Sequence, residues 1–195
     1  MMAAQEISNN IPSRSSGDGD LDIDATMWRI ESTPKGLIDE PLDFLFAEHH
    51  RQRQAALILT FVADGQFDEA GVQELIEFLQ NDFALHVQDE ELGFFPILKS
   101  CCPPEDNIDS IVARLVEEHK KDELIGEDIL KILKTSVLTR AITQEESREL
   151  RAFAEHIRQH LAFENAVLLP IARARMDEAA LAHLSADMKG RRSSA

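Results

Sequence analysis

The stretch HVQDEELGFFP, residues 86–96, and the stretch HLAFENAVLLP, residues 160–170, have the same kind of residue at three equivalent positions. Each begins with His, has an acidic residue at its fifth position and ends with Pro, whereas almost nothing else between them matches. Residues four positions apart lie on one face of a helix, so each His and its acidic partner can reach the same metal ion or two adjacent ions. The prolines are expected to kink or end both helices at the same distance from the acidic residue, six positions after it.

A second pair of related stretches precedes these two. EHH, residues 48–50, aligns with EHK, residues 118–120, so His49 corresponds to His119. The chain therefore repeats a pair of segments, and each pair contributes one His followed by a His and a Glu. If the two halves converge, four His and two Glu meet at one centre, which is a ligand set for two metal ions. These candidate metal ligands are His49, His86, Glu90, His119, His160 and Glu164.

Apolar residues recur with helical periodicity from Pro41 onward, and no strand-like alternation of useful length appears. The connections between the helical segments are short. We therefore predict an all-α fold, namely an up-down-up-down four-helix bundle. The four long segments are predicted from Pro41 to about Ala63, from Asp68 to the sequence CCPPED (residues 101–106), from about Asn107 to Thr139, and from a capping box at Thr143 and Glu146 onward.

The ends of the chain differ in composition from its centre. The N-terminal part is rich in Ser, Asn, Asp and Gly, which predicts a flexible tail. Met27, Trp28 and Ile30 are candidates for a short anchor within that tail. The predicted parts are a flexible N-terminal tail (1–36), the four-helix bundle (37–176), and a short C-terminal helix to about Met188 with a frayed end (177–195).

Each long segment carries a His on its apolar stripe, where a Leu would be expected. A buried polar ring without a partner costs about 1–3 kcal/mol, so a metal is a better explanation of four such rings than structure alone. Several neighbouring residues stay open as ligands or as residues that support a ligand. They are His50, which competes with His49; Glu123, a seventh ligand or a surface acid; and His156, which supports His160 at most. Glu91 is expected to point away from the centre, and His183 to lie on the surface.

Composition excludes several classes of function. The chain has 36 acidic and 20 basic residues and a formal net charge of −16, which repels nucleic acids and anionic membranes. Cys101 and Cys102 are adjacent and are interpreted as a pair of loop cysteines, and no apolar leader is visible, so we predict a cytoplasmic protein. No Tyr is present, which excludes a tyrosyl-radical generator.

Taken together, the stretches at 48–50, 86–96, 117–123 and 160–170 resemble the hemerythrin-like, HHE cation-binding domain family. The resemblance covers about residues 38 to 175. It implies a four-helix bundle with a non-haem di-iron centre, whose ligands would be the six residues named above and whose bridges would be Glu90 and Glu164. Manganese and zinc are the alternatives to iron.

The resemblance implies a protein that binds or senses O2, NO or peroxide, or that handles iron. Oxygen-carrying members have a His where this chain has Glu123, and they place the final acid five residues after the last His, whereas Glu164 is four after His160. This departure counts against oxygen carriage. A four-His, two-Glu set fits members that repair iron centres, although those usually carry an N-terminal domain with Cys. The alternatives are a di-iron enzyme that reduces NO or peroxide or repairs iron centres, and a structural or zinc-binding helical bundle.

Overall fold

A computed structural model describes residues 25–34 and 36–193, and every regular element within those ranges is helical. The all-α prediction is therefore confirmed. The helices are α1 (Pro41–Ala63), α2 (Glu69–Gln80), α3 (Asp82–Asp89), α4 (Phe95–Cys101), α5 (Ile108–Thr139), α6 (Gln144–Phe163), α7 (Leu169–Arg175) and α8 (Glu178–Ser193). Single turns of 3-10 helix occur at Ala25–Trp28, Leu37–Asp39 and Pro104–Asp106.

Local capping chemistry sets the starts of two helices. The side chain of Asp68 accepts a hydrogen bond of 2.7 Å from the backbone N–H of Gly71 and thereby begins α2. At the start of α6, the Thr143 hydroxyl accepts from the N–H of Glu146, and the Glu146 carboxylate accepts from the N–H of Thr143. Both starts lie at the residues that the sequence indicates.

The two prolines of the repeated motif do not end their helices, so of the two expected effects, a kink or an end, the second is wrong. A turn of π-helix precedes each one, at Glu90–Phe94 and at Glu164–Leu168. In the first π turn the carbonyl of Glu90 accepts from the N–H five residues later, and Glu164 does the same. Pro96 and Pro170 then lie in the first turn of α4 and α7, where a missing N–H is tolerated.

The described helices pack along two main contacts, α1 against α6 and α2 against α5. Their apolar side chains form two separate clusters. One cluster includes Ile58, Leu59, Leu75, Leu133 and Leu150. The other includes Leu45, Phe94, Phe95, Leu115 and Leu168. The up-down order of the four long segments stays a prediction.

A polar layer lies between the two apolar clusters. Along α1, His49 comes after Leu45 of one cluster and before Ala55 of the other. Along α5, His119 comes between Leu115 and the buried apolar residues that begin at Ile129. The two clusters therefore hold a layer of buried polar side chains from both sides.

The N-terminal anchor is confirmed for two of its three residues. Trp28 and Ile30 are buried, and the Trp28 ring packs on Phe61 with the centroids 5.2 Å apart, whereas Met27 is 45% exposed. The rest of the predicted tail, residues 1–24, lies outside the described residues. Phe46 of α1 is 50% exposed, because the buried face of this helix includes Glu48 and Gln52 instead.

The C-terminal helix is longer than the sequence indicates. Residues 189–193, expected to fray, continue α8 as far as Ser193, and residues 194 and 195 lie outside the described part. Leu184 and Met188 anchor α8 in the second apolar cluster. None of the described helices combines the length and apolar character needed to cross a membrane.

Candidate metal centre

The fold brings together all six residues that the repeated motif singles out. His49 lies on α1, His86 on α3, His119 on α5 and His160 on α6, and Glu90 and Glu164 open the two π turns. All six are buried, with exposed fractions between 0 and 7%. Their role as metal ligands is taken up below as a proposal.

Glu90 lies between histidines of both halves of the chain. Its Oε1 is 3.4 Å from Nε2 of His86 and 3.8 Å from Nε2 of His49, and its Oε2 is 3.3 Å from Nε2 of His119. One carboxylate therefore faces the two halves with its two oxygens.

Glu164 has the same arrangement from the opposite half. Its Oε2 is 3.3 Å from Nε2 of His49, and its Oε1 is 3.4 Å from Nε2 of His160. The donor atoms consequently form two groups that share both carboxylates, and within each group the atoms lie within 4.8 Å of one another. The groups are His49, His86, Glu90 and Glu164, and Glu90, His119, His160 and Glu164.

Most of these donor atoms have no hydrogen-bond partner. Both oxygens of Glu90, both oxygens of Glu164, and the Nε2 atoms of His49 and His86 are buried without one. Buried carboxylate oxygens without partners are costly, and a cation would supply the missing interaction. Imidazole nitrogens and carboxylate oxygens are also ligands that first-row transition metals prefer. The residues therefore fit a pair of metal ions.

A comparison with protein-family models matches residues 40–172 to the Hemerythrin HHE cation binding domain. The chain belongs to the hemerythrin HHE cation-binding domain family. Comparisons with curated proteins and with solved structures give no significant match. The family assignment therefore rests on most of the chain, and the buried cluster of this HHE domain fits the cation site that the family description names.

Three of the four histidines in the HHE centre are oriented by a second residue through Nδ1. The carboxylate of Glu118 lies 2.9 Å from Nδ1 of His160. The other two bonds, also of 2.9 Å, join Glu91 to His119 and Asn165 to His49. Such a bond fixes the tautomer, so that Nε2 faces the centre. The sequence prediction for Glu91 was wrong, because Glu91 contacts a residue of the centre.

The outer partners follow the internal repeat but differ in chemistry. Glu91 and Asn165 each come directly after a shared carboxylate, so they are equivalent positions of the two halves. The partner of His119 is thus a carboxylate and that of His49 a neutral amide. His86 has no partner at Nδ1. Because a carboxylate partner makes an imidazole a stronger ligand, the two groups of the centre are chemically unequal.

The remaining candidates lie outside the two groups. His50 is exposed and faces Glu31 at 3.8 Å, so the structure favours His49 of that pair. Glu123 is exposed, which supports its reading as a surface acid. The buried acidic residue next to Glu123 is Asp122, which the sequence prediction missed. Its Oδ1 lies 2.8 Å from Nε2 of His156. Its spacing from His119, three residues on the same helix face, is a signal for it. His183 is on the surface, as expected.

Charge within the HHE centre is balanced by the histidines when protons are the only cations. Burial lowers the pKa of His160, but Glu164 and other carboxylates outweigh it and raise that pKa to about 10. Glu90 likewise raises the pKa of His86 and of His119 against the effect of burial. Burial raises the pKa of Glu90, yet the histidines, His86 foremost, hold it well below its usual value. Binding of a metal ion must therefore displace protons.

A small cavity of about 10 Å³ adjoins the centre. Three of the histidines line it, together with Gln52, Asp122 and three apolar side chains. A groove of about 440 Å³ lies outside it, between α3 and α5, and shares Phe83, Val87, His119 and Asp122 with the cavity. Because His119 lines both spaces, the groove reaches the edge of the centre from the surface.

Proposed function

We propose that this HHE domain holds two iron ions through the six buried residues, with Glu90 and Glu164 bridging the ions. The observation that carries this proposal is the sharing of both carboxylates by both donor groups. Each ion would receive two imidazoles and one oxygen from each carboxylate. A donor set without Cys favours iron or manganese over a structural zinc site, which often contains Cys.

We further propose that the centre binds or senses a small molecule such as O2, NO or peroxide in the cytoplasm. Two iron ions would supply a redox-active centre with coordination positions left for such a molecule. The chain supplies the rest: buried ligands that exclude water, outer partners that fix the rings, and a cavity whose size restricts access to small molecules. Nucleic acids and membranes are not among the partners that the acidic composition favours.

A second candidate function is the reduction of peroxide or NO, and Asp122 is the observation that favours it. Such reductions consume protons and an equal number of electrons, and an external reductant would supply the electrons. The carboxyl of Asp122 lines the cavity, and burial raises its pKa, so that it can hold a proton close to the histidines. Replacement of Asp122 by Asn would lower turnover of peroxide while leaving ligand binding intact, whereas a pure sensor would show no turnover in either form.

The experiment that tests the main proposal compares two adjacent histidines. The purified protein should contain two iron ions per chain, with charge-transfer absorption in air. His49→Ala should lose metal, because it removes a ligand from the centre, whereas the matched control His50→Ala should keep it, because His50 is exposed. Circular dichroism checks that both variants are helical. Zinc in place of iron, no metal at all, or equal metal loss in both variants would contradict the proposal.

A further inference from the structure

Gln52 is a buried polar residue that the proposed metal ligation does not use. It lies one helical turn after His49 on α1, on the same face, and is 2% exposed. Its amide nitrogen Nε2 is buried without a hydrogen-bond partner. A Leu or Met of similar volume would fill this position without leaving a donor unsatisfied, so packing alone does not explain an amide here.

The side chain of Gln52 lines the small cavity beside His86, His119 and His160. Apart from these histidines, the only other polar residue along the cavity, among the residues described, is Asp122. A carboxylate can accept hydrogen bonds, whereas the amide nitrogen can only donate. The cavity thus presents a donor and an acidic group next to the metal-binding histidines.

We propose that Gln52 is a ligand-recognition residue: its amide donates a hydrogen bond to a small exogenous molecule that enters the cavity. The proposal rests on the proposed metal centre and specifies what that centre accepts, namely a small molecule of two or three heavy atoms with a hydrogen-bond acceptor. The cavity volume of about 10 Å³ is close to the space of one water, so only the end of such a molecule that accepts from Gln52 fits there, and bulky molecules are excluded.

The outer groove adjoins the cavity and also contains a second glutamine, which serves as a control for Gln52. Phe83 and Val87 border both spaces, so a small molecule that entered from the groove would pass them to reach Gln52. Gln88 lines the outer groove but not the cavity, and it is exposed. The substitution Gln88→Leu therefore makes the same chemical change as Gln52→Leu on the same route, but outside the cavity.

The test is an azide titration of the oxidised, iron-loaded protein, followed by absorption. Azide is a triatomic anion that accepts hydrogen bonds. Gln52→Leu should weaken azide binding about tenfold, as expected for the loss of one hydrogen bond to a charged group, whereas Gln88→Leu should leave the affinity unchanged. Equal azide affinity in the wild-type protein and Gln52→Leu, at equal iron content, would overturn the proposal.

A second readout does not depend on the metal. If the amide is retained for ligand binding, Gln52→Leu removes an unsatisfied donor, and the melting temperature of the chelator-treated protein should stay the same or rise. A lower melting temperature would mean that Gln52 has a structural role and would count against the proposal. Failure of the wild-type protein to bind iron would instead contradict the proposed function, so the two failures are distinguishable.

Discussion

The C-terminal helix α8 is joined to the residue before the first π turn by ion pairs between two arginines and one buried carboxylate. We predict that removal of the two arginine side chains destabilises the fold strongly. Asp89, the residue before Glu90, is 0% exposed. The guanidinium groups of Arg191 and Arg192 on α8 lie 2.6 Å from its two oxygens. The perturbation is the double substitution Arg191→Ala and Arg192→Ala, which leaves the Asp89 carboxylate buried without a cation.

The magnitude follows from burial. Removal of one side of a buried ion pair costs about 3–5 kcal/mol, because the remaining charge is uncompensated. The side chains of Arg191 and Arg192 are 18% and 26% exposed, so water can replace part of the interaction. We therefore expect a loss of about 3 kcal/mol, the lower end of that range, which corresponds to a fall of roughly 6–12 °C in melting temperature.

The assay is urea unfolding of the chelator-treated protein, followed by circular dichroism. Arg173→Ala is the control, because the pair of Arg173 and Asp43 is about half exposed and should contribute less than about 1 kcal/mol. Further replacement of Asp89 by Asn in the double variant should restore part of the stability, since it removes the uncompensated charge. A double variant no less stable than Arg173→Ala, or no recovery with Asn, would refute the reasoning.

Two further predictions concern protonation and close packing. The raised pKa of His160, about 10 against about 6.5 unfolded, stabilises the metal-free protein fully below pH 6.5. The urea midpoint of the metal-free wild-type protein should therefore fall as the pH rises from 6.5 to 10, and it should fall more than the midpoint of a His160→Gln variant. The same pH dependence in both proteins would contradict this prediction. Gly71→Ala should displace Trp28, whose Cβ lies 2.8 Å from the added methyl position, and red-shift the fluorescence of the single Trp. Gly126→Ala, with open space around it, should leave the emission unchanged.

The six side chains that meet in the buried cluster could be predicted from the sequence, because most of the signals that identify them act within one helix. The His-to-Glu spacing and the caps at Asp68 and Thr143 depend only on helix geometry and nearby backbone groups, so they could be read without knowledge of the fold. The repeat added the long-range element, since it indicated that His49 and His119 belong to the same layer.

What the sequence did not predict depends on how each helix is rotated. Asp122 rather than Glu123 is buried, although both lie about one turn from His119. Glu91 contacts His119 from the neighbouring segment, a contact that spacing within one helix cannot reveal. The π turns were also missed, because Pro was interpreted as a kink or an end of the helix, whereas an extra residue in the preceding turn accommodates it.

The exchange of carboxylates between the two halves has a consequence for chain topology. Each donor group takes three residues from its own half and one Glu from the other. An ion bound there would act as a cross-link between segments far apart along the chain, and because its site forms only in the folded protein, its binding free energy would add to the stability of the fold. Release of the metal would remove this cross-link and leave only the packing between the helices, so a chelator should speed unfolding of this protein as a reductant speeds unfolding of a disulfide-bonded one.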